Sequence, residues 1–497
     1  MPRMHRPPFN PRIPLYHGMW LLVFNWLLAG CATNPVSGES DFVLMSEQQE
    51  IALGQRYNSE ILKDMPAYED AKLTAMVQSI GEELAAHSHR SGLDYHFTIV
   101  DSPNVNAFAL PGGYIYITRG MLAYLNSEAE LAAVLGHEIG HVTARHSVRQ
   151  HSAETTTNVI GTVVSVTTGI QGVDELTGMV GTAIVRGYGR EHELEADRLG
   201  AEYMARSGYD PDAMLEVIGI LKDQESFEKK RAKEEGREPN VYHGLFSTHP
   251  ENDARLQEVV AAARQHKTGA SMRINRDGFI SALEGLHFGE SESEGVIRGN
   301  RFYHESLDFT LAFPTGWQIE NRDDRVVAMA AAGDGFMQLK KMKLDKRMHA
   351  RSFMQEELKL GGLQHGEQIR GNGLTGYTAI ASGKTPFGTR PVRHIVLMRD
   401  TTAWIITGAA ADRRDPYRYD RQIIASARTF RALASQDGQK ARGNRLHIIR
   451  AGDGTRYRDL AAQAPLERYA EEQLRLLNDQ YPQGEPRSGQ LIKTVRQ

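Results

Sequence analysis

The sequence predicts an α+β protein, mainly helical in its first half and rich in strands in its second. Three observations carry this. The runs SEAELAAVLGHEIGHVTARHSVRQ from Ser127 and Glu191 to Ser207 contain no proline and repeat apolar residues at roughly helical spacing. Residues 296–434 read as successive strands closed by a helix. The last 55 residues read as strand, turn, helix, helix, turn, strand. At 497 residues the chain is too long for one hydrophobic core and fits two or three domains.

The first 30 residues read as a secretory signal, with Arg3, Arg6 and Arg12 ahead of the short apolar run MWLLVFNWLLAG. Leu28-Ala29-Gly30-Cys31 resembles the bacterial lipobox, which implies that Cys31 carries lipid. Cys31 is the only cysteine, so no intrachain disulfide can form. Ala32 stands where an aspartate would imply inner-membrane retention, so the outer membrane is favoured. Two or three acyl chains on one residue anchor firmly. Residues 31–45 then read as a tether, ahead of a domain at 46–268.

Val105 to Leu125 reads as strand, turn, strand and helix start, with Pro111-Gly112-Gly113 turning the chain. An ordinary core hairpin fits this periodicity as well.

Ser127, with Glu130 three residues on, predicts a capped helix start. His137 and His141 are four apart and share one helical face, so both imidazoles can reach a single ion. Glu138 can reach a water held by that ion, and this H-E-x-x-H spacing predicts one zinc per chain. Gly136 and Gly140 each disfavour helix by roughly 1 kcal/mol, a cost easier to accept where backbones pack closely. A catalytic zinc needs a third protein ligand. Glu193 can supply it, and Asp197, four residues on, can accept the second ring N–H of a ligand histidine. Taken alone, that pair reads better as a solvated acidic face, and it gains weight beside the first motif.

HEIGH at 137–141, the EAD of 195–197 preceded by Glu193, and NAFALPGG at 106–113 together resemble gluzincin metallopeptidases of the CAAX prenyl endopeptidase and HtpX type, most closely a BepA-like periplasmic branch. The resemblance covers about residues 40–265. It implies a mainly helical zincin metalloprotease domain with an active-site edge strand. His137, His141 and Glu193 would be the zinc ligands, Glu138 the general base and Asp197 a buried partner. The substrate-binding edge strand would be Asn106, Ala107, Phe108, Ala109 and Leu110, pairing with substrate backbone by strand addition.

Residues 156–187 are apolar but interrupted by Asp174, Glu175 and six glycines, so they read as short packed helices rather than a membrane span. The charge-rich run 224–240 reads as a solvated helix or loop. His249-Pro250 and Arg255 also match the resemblance, which gives His249 a place at the open metal position or on the tetrahedral intermediate and Arg255 a role at the oxyanion. Plain helix capping and surface pairing fit both residues too.

From Ile274 the sequence RINRDGFISALEGL reads as the start of a second unit, a small α+β domain at 296–434 with turns at Pro314–Gly316 and Gly333–Gly335. Residues 443–497 resemble a LysM-like module, which implies binding of cell-wall peptidoglycan, although no residue specifies a sugar contact.

A net charge of −4 gives no nucleic-acid footprint. The combined expectation is a lipid-anchored periplasmic zinc metalloendopeptidase for quality control of misfolded or misassembled envelope proteins. The alternatives are a non-proteolytic envelope assembly factor or chaperone and a cell-wall-associated binding protein.

Overall fold

The computed structural model describes residues 31–43, 45–150, 152, 189–236, 239, 253–266, 272–322, 324–372 and 374–497. The predicted signal segment, all of 156–187 and His249 therefore lie outside the described residues. Where the sequence predicts a tether, the chain forms a short hairpin of β1 (Cys31–Thr33) and β2 (Ser40–Phe42).

Helix α1 (Glu47–Asp64) starts in a capping box, with Ser46 Oγ accepting from the Gln49 N–H and Gln49 Oε1 from the Ser46 N–H. Helix α2 (Ala71–Ala86) is capped by the Asp70 carboxylate. A three-stranded sheet follows, built from β3 (His96–Val100), β4 (Ala107–Leu110) and β5 (Tyr114–Thr118) in the order β3-β5-β4. β4 is thus an edge strand, antiparallel to β5. The turn between them takes positive φ at Gly112 and Gly113, and α1 packs against it so closely that a Cβ on Gly112 would lie 2.7 Å from Ile51 Cα.

Helices α3 (Arg119–Tyr124), α4 (Glu128–Thr143), α5 (Arg190–Arg206), α6 (Ala213–Glu235) and α7 (Asp253–Ala263) complete the layer over this sheet. α6 spans most of the charge-rich run and ends at Gly236 in the left-handed conformation. Every residue of α4 from Ala129 to Thr143 is buried, so this helix is the centre of the core.

Two expectations about the boundaries differ from the structure. Helix α8 (Arg276–Ala282) does not open the second unit, because Phe279 and Ile280 join the core around α4. After β6 (His287–Phe288), the chain leaves for the second domain and returns to the same core. The C-terminal segment has the expected order: β17 (Asn444–Arg450), α11 (Tyr457–Ala461), α12 (Ala470–Leu477) and β18 (Leu491–Arg496). It is not a free-standing module, however. Leu446, Leu474, Leu477 and Ile492 share the core of α4, and β6 completes its sheet in the order β18-β17-β6. Apolar surface on so short a segment is best removed from water by covering a larger core.

The domain in between starts with a small sheet of β7 (Val296–Arg298), β8 (Arg301–His304) and β9 (Phe309–Ala312). Its main sheet is seven-stranded and antiparallel, made of β10 (Gln318–Arg322), β11 (Arg325–Met329), β12 (Gly335–Lys343), β13 (Gln364–Gly371), β14 (Leu374–Thr385), β15 (Gly388–Arg399) and β16 (Thr402–Ala410). Helix α9 (Ala350–Glu356) packs on one face through Phe353 and Met354, and the closing helix α10 (Asp420–Arg428) on the other through Ile423 and Ala427. The sequence reading finds α10 but not α9. Among the described residues no helix is long and apolar enough to cross a membrane.

Candidate metal centre

Ser127 caps α4 by accepting from the Glu130 N–H at 3.1 Å. Glu130 reaches back one residue further than a capping box requires, to the Asn126 N–H at 2.6 Å. The first interaction satisfies an N–H that the first turn leaves without a helical partner, and the second ties the residue before the cap to the helix. The helix then runs without a kink through His137, Glu138 and His141.

Helix α5 crosses α4 at its glycines. A Cβ on Gly140 would lie 2.7 Å from the Ala196 carbonyl oxygen, and one on Gly200 would lie 2.8 Å from the His137 backbone nitrogen. This contact brings Glu193, in the first turn of α5, up to the two histidines.

His137 Nε2 and His141 Nε2 are 2.9 Å apart, Glu193 Oε2 is 3.4 Å from His137 Nε2, and Glu193 Oε1 is 3.7 Å from His141 Nε2. A tetrahedral zinc with bonds of about 2.0–2.1 Å places its donors about 3.3 Å apart, so three donors at these separations fit the ion. All three side chains are buried. Asp197 Oδ1 accepts from His137 Nδ1 at 2.8 Å, which leaves His137 Nε2 pointing at the site.

The electrostatics match a cation site. Burial opposes ionisation of Glu193, but His141 and His137 outweigh it and hold the carboxyl far below the usual range. Burial would also push His137 down, yet Asp197 and Glu193 hold it well above its ordinary value. His141 is lowered, chiefly by burial. Burial pushes Glu138 up to about 8, with Glu193 adding to the rise and His137 opposing it.

The structure thus brings together His137, Glu138, His141, Glu193 and Asp197. β4 carries Ala107, Phe108, Ala109 and Leu110, with Asn106 just before it, and α4 packs alongside. Among the described residues β4 lies at the edge of its sheet, and its four residues are all buried; Phe108 stacks on Tyr116 with ring centroids 4.8 Å apart. Arg255 lies on α7, which packs on α5, although its side chain is not among those described. His249 is outside the described residues.

Two further groups are absent from the sequence reading. His146 Nδ1 lies 2.8 Å from His141 Nδ1, and its Nε2 lies 3.0 Å from Glu195 Oε2, which also accepts from Arg149 Nη1 at 2.9 Å. His192 stacks on His146 at 4.3 Å. Helical spacing conceals this group, because Arg145 adopts φ 55° and turns the chain between the two histidines. The second group is a buried ionic network. Glu50 accepts from Arg90 Nη1 and Arg145 Nε, both at 2.8 Å, while Arg90 Nη1 also donates to the Val142 carbonyl at 3.0 Å. It clamps α1 to the end of α4. No short motif joins Glu50, Arg90 and Arg145, so only the fold reveals it.

A helical domain with a His-Glu-x-x-His helix, a glutamate ligand on a second helix and an edge strand alongside defines the metallopeptidase class. Consistently, residues 71–263 match the profile described as peptidase family M48. The chain is 32% identical over 242 residues to the beta-barrel assembly-enhancing protease of Escherichia coli strain K12, covering 47% of each chain. Its identity to the protein of that name from Yersinia pestis is 31% over 242 residues, covering 47% of this chain and 48% of the other. The mitochondrial metalloendopeptidase OMA1 of Arabidopsis thaliana is 35% identical over 141 residues, 28% of each chain. The chain therefore spans about half the length of the first two relatives. Among solved structures, cyanobacterial PsbP from Synechocystis sp. PCC 6803 aligns with a TM-score of 0.23 and 15% identity over 28% of this chain and 95% of that one, a score too low to bear on the fold.

Proposed function

We propose that this protein is a zinc-dependent metalloendopeptidase that cleaves extended segments of misfolded or misassembled proteins in the bacterial periplasm. The observation that carries the reading is the convergence of His137, His141 and Glu193, with Glu138 next to His137 on the same helix. Zinc held by those three residues would supply a Lewis acid that polarises the scissile carbonyl and acidifies water.

The chain's own groups then act on the substrate and the proton. Glu138 takes a proton from the water that attacks the carbonyl carbon and returns it to the amine nitrogen as the C–N bond breaks. Its place next to His137 on the same helix puts it within reach of a water held at the site. Asp197 fixes the tautomer of His137. Substrate pairing is assigned to the edge of β4, a mode tolerant of many sequences.

Cys31 is the proposed lipid attachment point, with the outer membrane favoured by Ala32, and 443–497 the proposed contact with peptidoglycan. Supporting the envelope reading are the signal-like first 30 residues and the relatives named for β-barrel assembly. The deciding experiment is cleavage of casein and an unfolded porin by purified protein, with zinc measured in the same samples. Stoichiometric zinc with no cleavage of either substrate would favour a non-proteolytic assembly factor. Palmitate labelling that persists in Cys31→Ser would remove the lipid anchor.

A further inference from the structure

We infer that His146, oriented by Glu195 and Arg149, is a positioning residue that holds the metal-facing nitrogen of His141 in place. The inference rests on the reading of His137, His141 and Glu193 as a metal site, and the geometry leaves little freedom in how the group must be wired. If His141 Nε2 faces the ion, its Nδ1 carries the ring proton and must donate. The atom 2.8 Å away is His146 Nδ1, which must then be the bare, accepting nitrogen. The proton of His146 is thereby placed on Nε2, where it donates to Glu195 Oε2 at 3.0 Å. Arg149 Nη1 donates to the same oxygen at 2.9 Å and keeps that carboxylate in place. Each link fixes the tautomer of the next, and His146 itself is fully buried.

The two ligand histidines are therefore supported differently. His137 donates directly to a carboxylate, Asp197. His141 donates to a neutral imidazole, with the carboxylate one ring further away. Direct contact with a carboxylate raises ligand basicity and fixes the ring, whereas an intervening ring passes on orientation with less charge. Glu193, Glu195 and Asp197 all lie in the first two turns of α5. One helix thus carries the third ligand together with both carboxylates that orient the other two, so a displacement of α5 disturbs every ligand at once.

The test compares His146→Phe, His146→Asn, Glu195→Ala and Arg149→Ala with wild type by two measurements. One is the rate of zinc loss to an excess chelator; the other is the visible spectrum of the cobalt-substituted protein. His146→Phe keeps a ring against His192 but cannot accept from His141. It should lose zinc about 10–100-fold faster and shift the cobalt bands. Asn can place an acceptor near the old Nδ1, so His146→Asn should recover at least part of both changes. If His146→Phe does not fold, Glu195→Ala and Arg149→Ala decide, with the same spectral shift expected in a smaller degree. Zinc loss within twofold of wild type and an unshifted cobalt spectrum in the folded variants would overturn the inference. Undiminished zinc in Glu193→Ala would instead overturn the metal site itself, so the two failures are distinguishable.

Discussion

Gly140 on α4 lies against the backbone of Ala196 on α5 with no room for a side chain: a Cβ there would be 2.7 Å from the Ala196 carbonyl oxygen and 2.9 Å from its Cα. Both obstacles are backbone, so the helices themselves must separate. Gly140→Ala should destabilise the protein by about 1–3 kcal/mol by overpacking, although alanine is the better helix former. It should also weaken metal binding, because Glu193 moves with α5. Gly219, exposed on α6 with nothing within 4 Å of its would-be Cβ, is the control. Gly219→Ala should stabilise by up to about 1 kcal/mol. Thermal melts that showed the same sign for both variants would contradict this account.

Glu138 sits beside a ligand but is not one of the three converging donors, so its role separates from theirs. Glu138→Gln should retain one zinc per chain while cleavage falls by about 10²–10⁴-fold, the range typical of losing a general base. His141→Ala and Glu193→Ala should lose both zinc and cleavage. Elemental analysis paired with a casein assay distinguishes these patterns, and cleavage by Glu138→Gln at the wild-type rate would require another base.

Residues at helical spacing made the candidate metal site legible, because four-residue steps put His137 with His141 and Glu193 with Asp197. The same rule hides His146, five residues after His141, since only the left-handed turn at Arg145 returns it to the site. Strand patterns in 296–434 were also readable, as was the βααβ order at the C-terminus. The destination of those C-terminal elements was not. Leu446 and Ile492 read as the core of a small module, yet they bury against the helix layer around α4. Local periodicity reports which face is apolar and says nothing of what covers it.

In the second domain, His304 and His394 supply a pH dependence. Burial pushes each down to about 4, with Lys341 lowering His304 further and Arg393 lowering His394. The folded state binds these protons less readily than the unfolded state, whose histidines titrate near 6.5. Stability is therefore full above about pH 6.5, declines as the pH falls toward 4, and loses up to about 3 kcal/mol per histidine. Urea melts from pH 7.5 to 4.5 should show this decline. His394→Leu should flatten it, and an unchanged slope in that variant would exclude His394 as a source.

The last prediction concerns Lys493, buried on β18 close to the end of the chain. Its Nζ donates to the Ala123 carbonyl at 2.8 Å and the Leu125 carbonyl at 2.7 Å, at the end of α3. Burial drives Lys493 toward neutrality and Glu130 toward protonation, and each opposes that effect in the other. Since Glu130 receives the Asn126 N–H ahead of α4, the final strand is tied to the start of the metal helix. Lys493→Met keeps most of the apolar volume but leaves two carbonyls without their donor and Glu130 without its cation. Leaving a buried acceptor without its donor typically costs about 1–3 kcal/mol. Truncation after residue 440 should be worse, because it also strips Leu446, Leu474, Leu477 and Ile492 from the shared core. Both changes should lower the melting temperature of the domain around α4 and speed zinc loss, though neither touches a proposed ligand. A truncated protein that melted and held zinc like the full chain would make 443–497 a separable module after all.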